Sequence, residues 1–455
     1  MSDESDIDEL FAAAGAAYAA GNAERAAALF RKAHDIDPGN ADVCTGLGQS
    51  YLDLGKFEDA RGYLETALSV APTDTRVLNM LGFAYGQTGR FAEAETCFRK
   101  LLRFGGGDEQ TLSNLGSSLN ELGRFDEAER MFRTTLRRNP ESIQARYNLG
   151  LLHLLKGEFE PGWEGFELRR EVMGYAAKSF PGADAWRGEP IAGRSIVLYD
   201  EQGLGDTIQF ARYALLLKAE GAKKVTIRCG AALADILSTL DDGIDVVTDD
   251  AAAVGAEFSE SLLSLPRLCG TTPDTVPSVS PYLFADDALP ESADASLHAD
   301  GERLRVGLVW AGNPKHKSDW KRSLKLSQLL PLLRIPDVAF YSFQAGPPAD
   351  ELADIPENIR PVPVFTVQRP LTEVAAAMTK LDLIVSVDTA LAHLAGALGV
   401  PVWTLISYFP DWRWMLGRND TPWYPTMRLF RQPEPGNWAA AIDGMTAALA
   451  GLKRR

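Results

Sequence analysis

A chain of 455 residues, 45% hydrophobic and 24% charged, has an ordinary globular composition and room for roughly three domain-sized units. Its formal charge of −16 argues against nucleic acid or an anionic membrane surface as partner, since both require a basic face. Residues 1–170 carry 19 basic and 27 acidic side chains, half of that net charge, so no basic arm is hidden inside the average.

Cys44, Cys97, Cys229 and Cys269 are far apart and form no Cys-x-x-Cys pair, which gives neither a zinc site nor a disulfide framework. The acidic start, Met-Ser-Asp-Glu-Ser-Asp, is unlike a secretory signal, and no apolar run reaches the about 18 residues of a membrane span. A cytoplasmic protein without membrane insertion is expected.

Residues 1–170 repeat with a period of 34. Leu47, Leu81, Leu115 and Leu149 are each followed by glycine, while Gly55, Gly89, Gly123 and Gly157 each precede Phe57, Phe91, Phe125 and Phe159 by two positions. Ala26, Ala60, Ala94 and Ala128 keep the same step, as do Pro38, Pro72 and Pro140, with Gly106 in the proline position of the third unit. Each unit reads as a helix, a glycine-assisted turn and a second helix, with small residues letting the helices approach and the aromatic filling the groove between them. The pattern resembles the tetratricopeptide repeat (TPR), with a worn first copy at Ala13-Ala14 and a fifth copy that changes after Phe159. Such arrays offer a concave surface to a peptide or protein; a purely architectural or dimerising solenoid is the alternative.

Around Trp186 the period stops and β/α alternation begins. Strands are expected at 196–199 and 224–228 with a helix over 207–219 between them, then at 304–310, 338–343, 381–387 and 401–406. Residues 271–300, rich in Pro, Ser, Ala and Asp, read as a linker between two parallel sheets. Two such sheets facing each other would hold a ligand at the carboxyl ends of their strands.

Three segments could carry chemistry there. Asp388-Thr389-Ala390-Leu391-Ala392-His393 joins a buried strand to a helix N-terminus, whose unpartnered N–H groups and dipole suit a diphosphate, with His393 one turn further on. Capping by Asp388 and Thr389 and packing by His393 would explain the same residues. Gly203-Leu204-Gly205-Asp206 offers backbone close to a ligand and, in Asp206, either a helix cap or a general base. Lacking a third glycine, it gives poor support for NAD. Lys315-His316-Lys317-Ser318-Asp319-Trp320-Lys321-Arg322 places basic groups after a strand, where they suit a leaving diphosphate. Gln344, at the next strand end, could contact a ribose or base. The aromatics of 408–414 and Trp423-Tyr424 read mostly as core, and no motif proposes a metal.

Gly-Leu-Gly-Asp-Thr (203–207), Lys321-Arg322-Ser323, and Asp388-Thr389-Ala390 with His393 resemble the signatures of heptosyltransferase-like GT-B glycosyltransferases. With the repeats included, the chain is similar to bacterial TPR-linked glycosyltransferases, some of which modify flagellin. The resemblance implies an α + α/β protein: an N-terminal TPR α-solenoid (1–170), a GT-B fold of two facing Rossmann-like domains (171–298 on the acceptor side, 299–436 on the donor side), and a C-terminal helix (437–455). It also implies a metal-independent enzyme with no cofactor, taking a nucleotide-sugar as substrate and a protein acceptor through the array. Asp206 would be the base; Lys321, Arg322, Asp388, Thr389 and His393 would bind the donor phosphates, beside the backbone of Gly203 and Gly205. Ala390 stands where heptosyltransferases usually have glycine, which leaves the donor sugar open. A saccharide or lipopolysaccharide acceptor, and a non-catalytic TPR adaptor or chaperone with a degenerate GT-B shell, are the competing readings. Residues 180–455 are expected to bind nucleotide by themselves.

Overall fold

The computed structural model describes all residues except 1, 254, 286–288, 291–292, 294–296, 298–302, 317–318 and 453–455, and for 2–5 the backbone alone. The expected domain boundary at 298/299, parts of the expected linker and of the C-terminal helix, and Lys317 with Ser318 of the basic loop lie outside the described residues. Two compact units result, Met1–Leu152 and His153–Arg455.

The first unit is built from helix pairs, among them Ala41–Asp53 with Phe57–Val70, Thr75–Gln87 with Phe91–Arg103, and Glu109–Glu121 with Phe125–Arg138. The turns between partners pass through Gly55, Gly89 and Gly123 at φ of 70–78°, a region costly for any residue with a Cβ. Within a pair, a side chain at Gly48 would meet Leu64 at 2.5 Å, one at Gly82 would meet Phe98 at 2.8 Å, and one at Gly116 would meet Phe132 at 2.6 Å. Leu64, Phe98 and Phe132 therefore fill the groove. Phe57, Phe91 and Phe125, which the repeat pattern casts in that part, sit half-buried at the helix starts.

The second unit holds two sheets with every pairing parallel. Strands β1 (Asp184–Ala185), β2 (Ser195–Tyr199), β3 (Lys224–Arg228), β4 (Ile244–Val247) and β5 (Phe258–Ser261) lie in the order β1-β5-β2-β3-β4. Strands β6 (Leu304–Val309), β7 (Val338–Ser342), β8 (Val362–Pro363), β9 (Leu383–Val387), β10 (Val402–Ile406) and β11 (Met427–Arg431) lie in the order β11-β10-β9-β6-β7-β8. β2, β7, β9 and β10 are buried along their whole length, as continuous apolar runs require in a sheet covered on both faces. This is the doubly wound architecture of a GT-B fold. Successive strands are added to one side of β6 up to β8 and to the other side from β9 onward, so the topological switch point of the second sheet lies between β6 and β9, where residues 310–312 and 388–390 emerge.

Residues 153–170 fold with the sheets. Helix Phe159–Phe166 buries three aromatic side chains: Trp163 meets Trp412 edge-on at 5.2 Å, Phe159 stacks on Trp423 at 6.2 Å, and Phe166 lies 5.5 Å from Trp412. The Trp163 indole N–H donates to the Thr271 carbonyl at 2.8 Å. Behind it, fully buried Arg169 forks onto Glu201 (2.7 and 3.0 Å) and Ser264 (2.8 Å), and Arg170 reaches Glu260 at 2.6 Å. The second helix of the fifth repeat keeps its close approach to the first, a Cβ at Gly162 meeting Leu154 at 2.6 Å, and adds contacts to the first sheet and the loop after β10. Among the described residues, no helix is long and apolar enough to cross a membrane.

Candidate active site

Helix Leu204–Ala219 begins three residues before its expected start, which puts Gly205 and Asp206 in its first turn. Gly203 is the cap residue, and its N–H donates to Asp206 Oδ2 at 2.8 Å. Asp206 is thus the reciprocal acceptor within the first turn, a position favoured for a carboxylate by the helix dipole. Its other oxygen, Oδ1, accepts from the Arg413 guanidinium, which comes from the loop after β10 in the other sheet.

Gly205 is not an approach for ligand. A Cβ there would stand 2.9 Å from His393 Cδ2 and 3.4 Å from Ala390 Cα, so this glycine is where helix Leu204–Ala219 crosses helix Ala390–Ala397. Gly205→Ala should destabilise the chain: helix propensity gains at most about 1 kcal/mol, while overpacking against a buried ring costs about 1–3 kcal/mol. A lowered denaturant midpoint checks this, and an unchanged or raised midpoint would mean that the crossing has slack.

His393 lies inside the same crossing. Its ring stacks on Trp414 at 5.3 Å, and Nδ1 shares a 2.8 Å hydrogen bond with the Tyr424 hydroxyl. Burial, then the charges of Arg413, Arg212 and Arg322, hold its pKa well below the ordinary value, so it is a neutral packing residue. The expected face toward phosphate is taken up by these neighbours. Gln344 is likewise engaged: Oε1 accepts from the Trp310 and Ala311 amides at 3.0 and 2.9 Å, and Nε2 donates to the Ala311 and Ala345 carbonyls at 3.1 Å. It shapes the loop after β6 instead of presenting its amide to a ribose.

Asp388, Thr389 and Arg322 meet at the switch point. Thr389 is the cap residue of helix Ala390–Ala397 but makes no side-chain cap; its hydroxyl lies 3.3 Å from Ser386 Oγ. The Ala392 and His393 amides donate to the Thr389 carbonyl at 3.1 and 3.4 Å, and the Ala390 and Leu391 amides precede the first intrahelical bond. Burial and the neighbouring Asp411 push Asp388 up to about 6, against the opposing pull of Trp414, Arg322 and Arg413. Arg322 is held by Asp319 at 3.3 Å, in a loop that folds back so closely that a Cβ on Gly312 would meet Asp319 Oδ1 at 2.4 Å. Ser323 closes this loop, accepting from the Gly312 amide and donating to Asp319, both at 2.8 Å. The Lys321 ammonium lies 5.6 Å over the Trp320 ring. His316 feels Arg322, Asp319, Asp206 and Asp411 together, and burial ahead of these charges lowers its pKa.

The cluster is therefore Asp206 from one sheet facing Arg322, Asp388, Asp411 and Arg413 from the other. Sequence reasoning missed Asp411 and Arg413, which sit in the run Tyr408–Trp414 read for its aromatics alone. Two charged residues set among aromatics, Arg413 between Trp412 and Trp414 and Asp411 just before them, were the signal. It also missed Gln209 and Arg212, spaced three apart from Asp206 on one face of its helix. Arg212 is buried and donates to the Trp423 carbonyl at 2.5 Å and the Tyr282 hydroxyl at 2.9 Å, under the ring of Tyr424 at 4.7 Å.

Residues 17–81, 52–112 and 114–160 match tetratricopeptide-repeat models, and residues 351–430 match glycosyltransferase family 9 (heptosyltransferase). The chain joins tetratricopeptide repeats to a family 9 glycosyltransferase domain. The matched family 9 segment contains Asp388, Thr389, His393, Asp411 and Arg413. Protein FlbA of Caulobacter vibrioides is 26% identical over 321 residues, covering 65% of this chain and 53% of FlbA, so the chain spans about half the length of that relative. Two solved structures titled "Crystal structure of MamA" and "Crystal structure of MamA protein" are each 20% identical, with TM-scores of 0.32 and 0.33. They match 36% and 39% of this chain and 97% and 98% of their own.

Proposed function

We propose that this chain is a GT-B-type glycosyltransferase that moves a sugar from a nucleotide-sugar donor to a protein acceptor gathered by the repeat array, with flagellin as the acceptor to try first. The observation that supports it best is the ion pair of Asp206 with Arg413, which joins Asp206 to the group of Asp388, Asp411 and Arg322 at the carboxyl ends of two parallel sheets. Arg322 and the open amides after Thr389 bind the donor phosphates and receive the charge that develops as they leave. Asp206 takes the proton of the attacking hydroxyl. The acceptor oxygen bonds to the anomeric carbon, the bond from that carbon to the phosphate oxygen breaks, and its electron pair leaves with the nucleoside phosphate. Array and transferase in one chain raise the effective concentration of a weakly bound polypeptide near the cleft.

Melting in the presence of ADP, GDP, UDP and CMP tests the donor half of this reading, because a ligand bound to the native state raises apparent stability. Mass analysis of flagellin incubated with the matching nucleotide sugar tests the acceptor half. A stabilising nucleotide with no modified protein would favour a saccharide acceptor; no stabilisation by any nucleotide would favour an adaptor that keeps the shell alone. Within the site, Arg322→Ala should weaken nucleotide binding by about 1.5–3 kcal/mol, the worth of a charge-assisted contact. Lys321→Ala should cost less, since its ammonium rests on Trp320. Calorimetry with the stabilising nucleotide reads both, and an unchanged dissociation constant in Arg322→Ala would remove this arginine from the phosphate site.

A further inference from the structure

Arg413 belongs to the loop after β10 yet directs most of its guanidinium at the opposite domain. Its Nε donates to Gln209 Oε1 at 2.8 Å, one terminal nitrogen donates to Asp206 Oδ1, and the other donates to Asp411 Oδ1 at 2.9 Å. Its own amide bonds the same Asp411 oxygen at 3.0 Å, so Asp411 fixes both the turn and the side chain it carries. The guanidinium lies 4.3 Å over the Trp412 ring and is only 7% exposed. A guanidinium is a planar fork of five N–H donors, and three acceptors in different directions leave it no freedom to rotate.

The consequence falls on Asp206. Arg413 holds Oδ1, the Gly203 amide holds Oδ2, and the carboxylate is locked in one orientation across the cleft. The side chain remains 20% exposed, and each oxygen has a second lone pair, so one more hydrogen bond can be accepted from the open side.

We infer that Arg413 is a positioning residue for transfer: it touches neither donor nor acceptor and acts through Asp206, aiming that carboxylate at the hydroxyl it deprotonates. The inference rests on the reading of Asp206 as the base. Misplacing a reacting group by about 1 Å can cost about 10²-fold in rate. A lysine keeps the charge at this position but has a single ammonium, which cannot hold Gln209, Asp206 and Asp411 at once.

The test is a double-mutant cycle in the full chain with Asp206→Asn, Arg413→Lys, Arg413→Gln and the pair Asp206→Asn/Arg413→Lys. The probe is whichever ADP-, GDP-, UDP- or CMP-linked sugar raises the melting temperature most. Its slow hydrolysis, with water as acceptor, requires the same proton transfer and no knowledge of the natural acceptor. Arg413→Lys should lower kcat by about 10–100-fold with KM for the donor nearly unchanged. In the Asp206→Asn background the same change should leave kcat within about threefold, because the group it positions is already gone. A purely structural role would instead lower the melting temperature and multiply the two losses. Additive losses, or a normal kcat in Arg413→Lys, overturn the inference; if Arg413→Gln does not fold, the lysine variant still decides. Normal hydrolysis by Asp206→Asn overturns the base assignment itself, as does a wild-type chain inert toward every donor, and either result is distinct from a failure of Arg413 alone.

Discussion

Replacing Asp206 by Asn should slow sugar transfer by roughly 10²–10⁴-fold, the usual contribution of a positioned acid or base, with nucleotide affinity little changed. The change is nearly isosteric, but it is not silent in the fold. Asp206 accepts from Arg413 on one oxygen and from the Gly203 amide on the other, whereas asparagine has a single oxygen to offer. One of those donors loses its acceptor and meets an NH₂ group instead, a cost of about 1–3 kcal/mol. A lower melting temperature is therefore expected with transfer nearly abolished. Asp206→Ala should cost at least as much stability, since it also releases both donors. Single-turnover transfer, nucleotide calorimetry and melting on the two variants separate chemistry from architecture. Near-normal transfer by Asp206→Asn would reduce this aspartate to a helix-end clamp.

The array was legible in the sequence because its determinants are local and periodic. A turn glycine or a small residue beneath a large one recurs every 34 residues, and the structure uses Gly55 and Gly48 in those two ways. Strands β2, β3, β6, β7, β9 and β10 were legible as apolar runs of strand length. The rest were not, for physical reasons: β5 reads Phe-Ser-Glu-Ser, and β8 is two residues ending in proline. Positions on the site were likewise readable as residue types at strand ends, but their partners were not. His393 and Gln344 looked available because a sequence cannot show that Tyr424 and the backbone of 310–311 occupy them. Gly205 looked like a ligand approach because close contact with a helix and close contact with a phosphate ask for the same missing side chain. Arg413 was hidden by its company: beside Asp411 it reads as a local ion pair, while its second counter-ion is 207 positions away on another domain.

A chain that starts at residue 171 should fail to fold, although the repeat period makes that the natural place to cut. The cut removes Phe159, Trp163 and Phe166, each buried against Trp412 or Trp423, and large aromatic deletions from a core cost about 3–5 kcal/mol apiece. It also removes Arg169 and Arg170, leaving Glu201 and Glu260 buried without their cations, at about 3–5 kcal/mol for each broken pair. Before relaxation the total is about 15–25 kcal/mol, and even halved it is comparable to the about 5–15 kcal/mol by which a whole domain is stable. The same applies to residues 180–455, which the sequence alone cast as an independent nucleotide binder. A cut in the loop between Arg138 and Ile143 avoids this, because helix Ile143–Lys156 stays whole and Phe159, Trp163, Phe166, Arg169 and Arg170 all remain in the chain. Residues 140–455 should therefore melt cooperatively and retain nucleotide binding, while residues 171–455 are recovered insoluble or without a melting transition. In the full chain, Trp163→Ala should show the largest part of this effect at one position, since it both empties the aromatic seam and leaves the Thr271 carbonyl without its donor. Cooperative melting of residues 171–455 near the temperature of residues 140–455 would show that the altered fifth repeat belongs to the array after all.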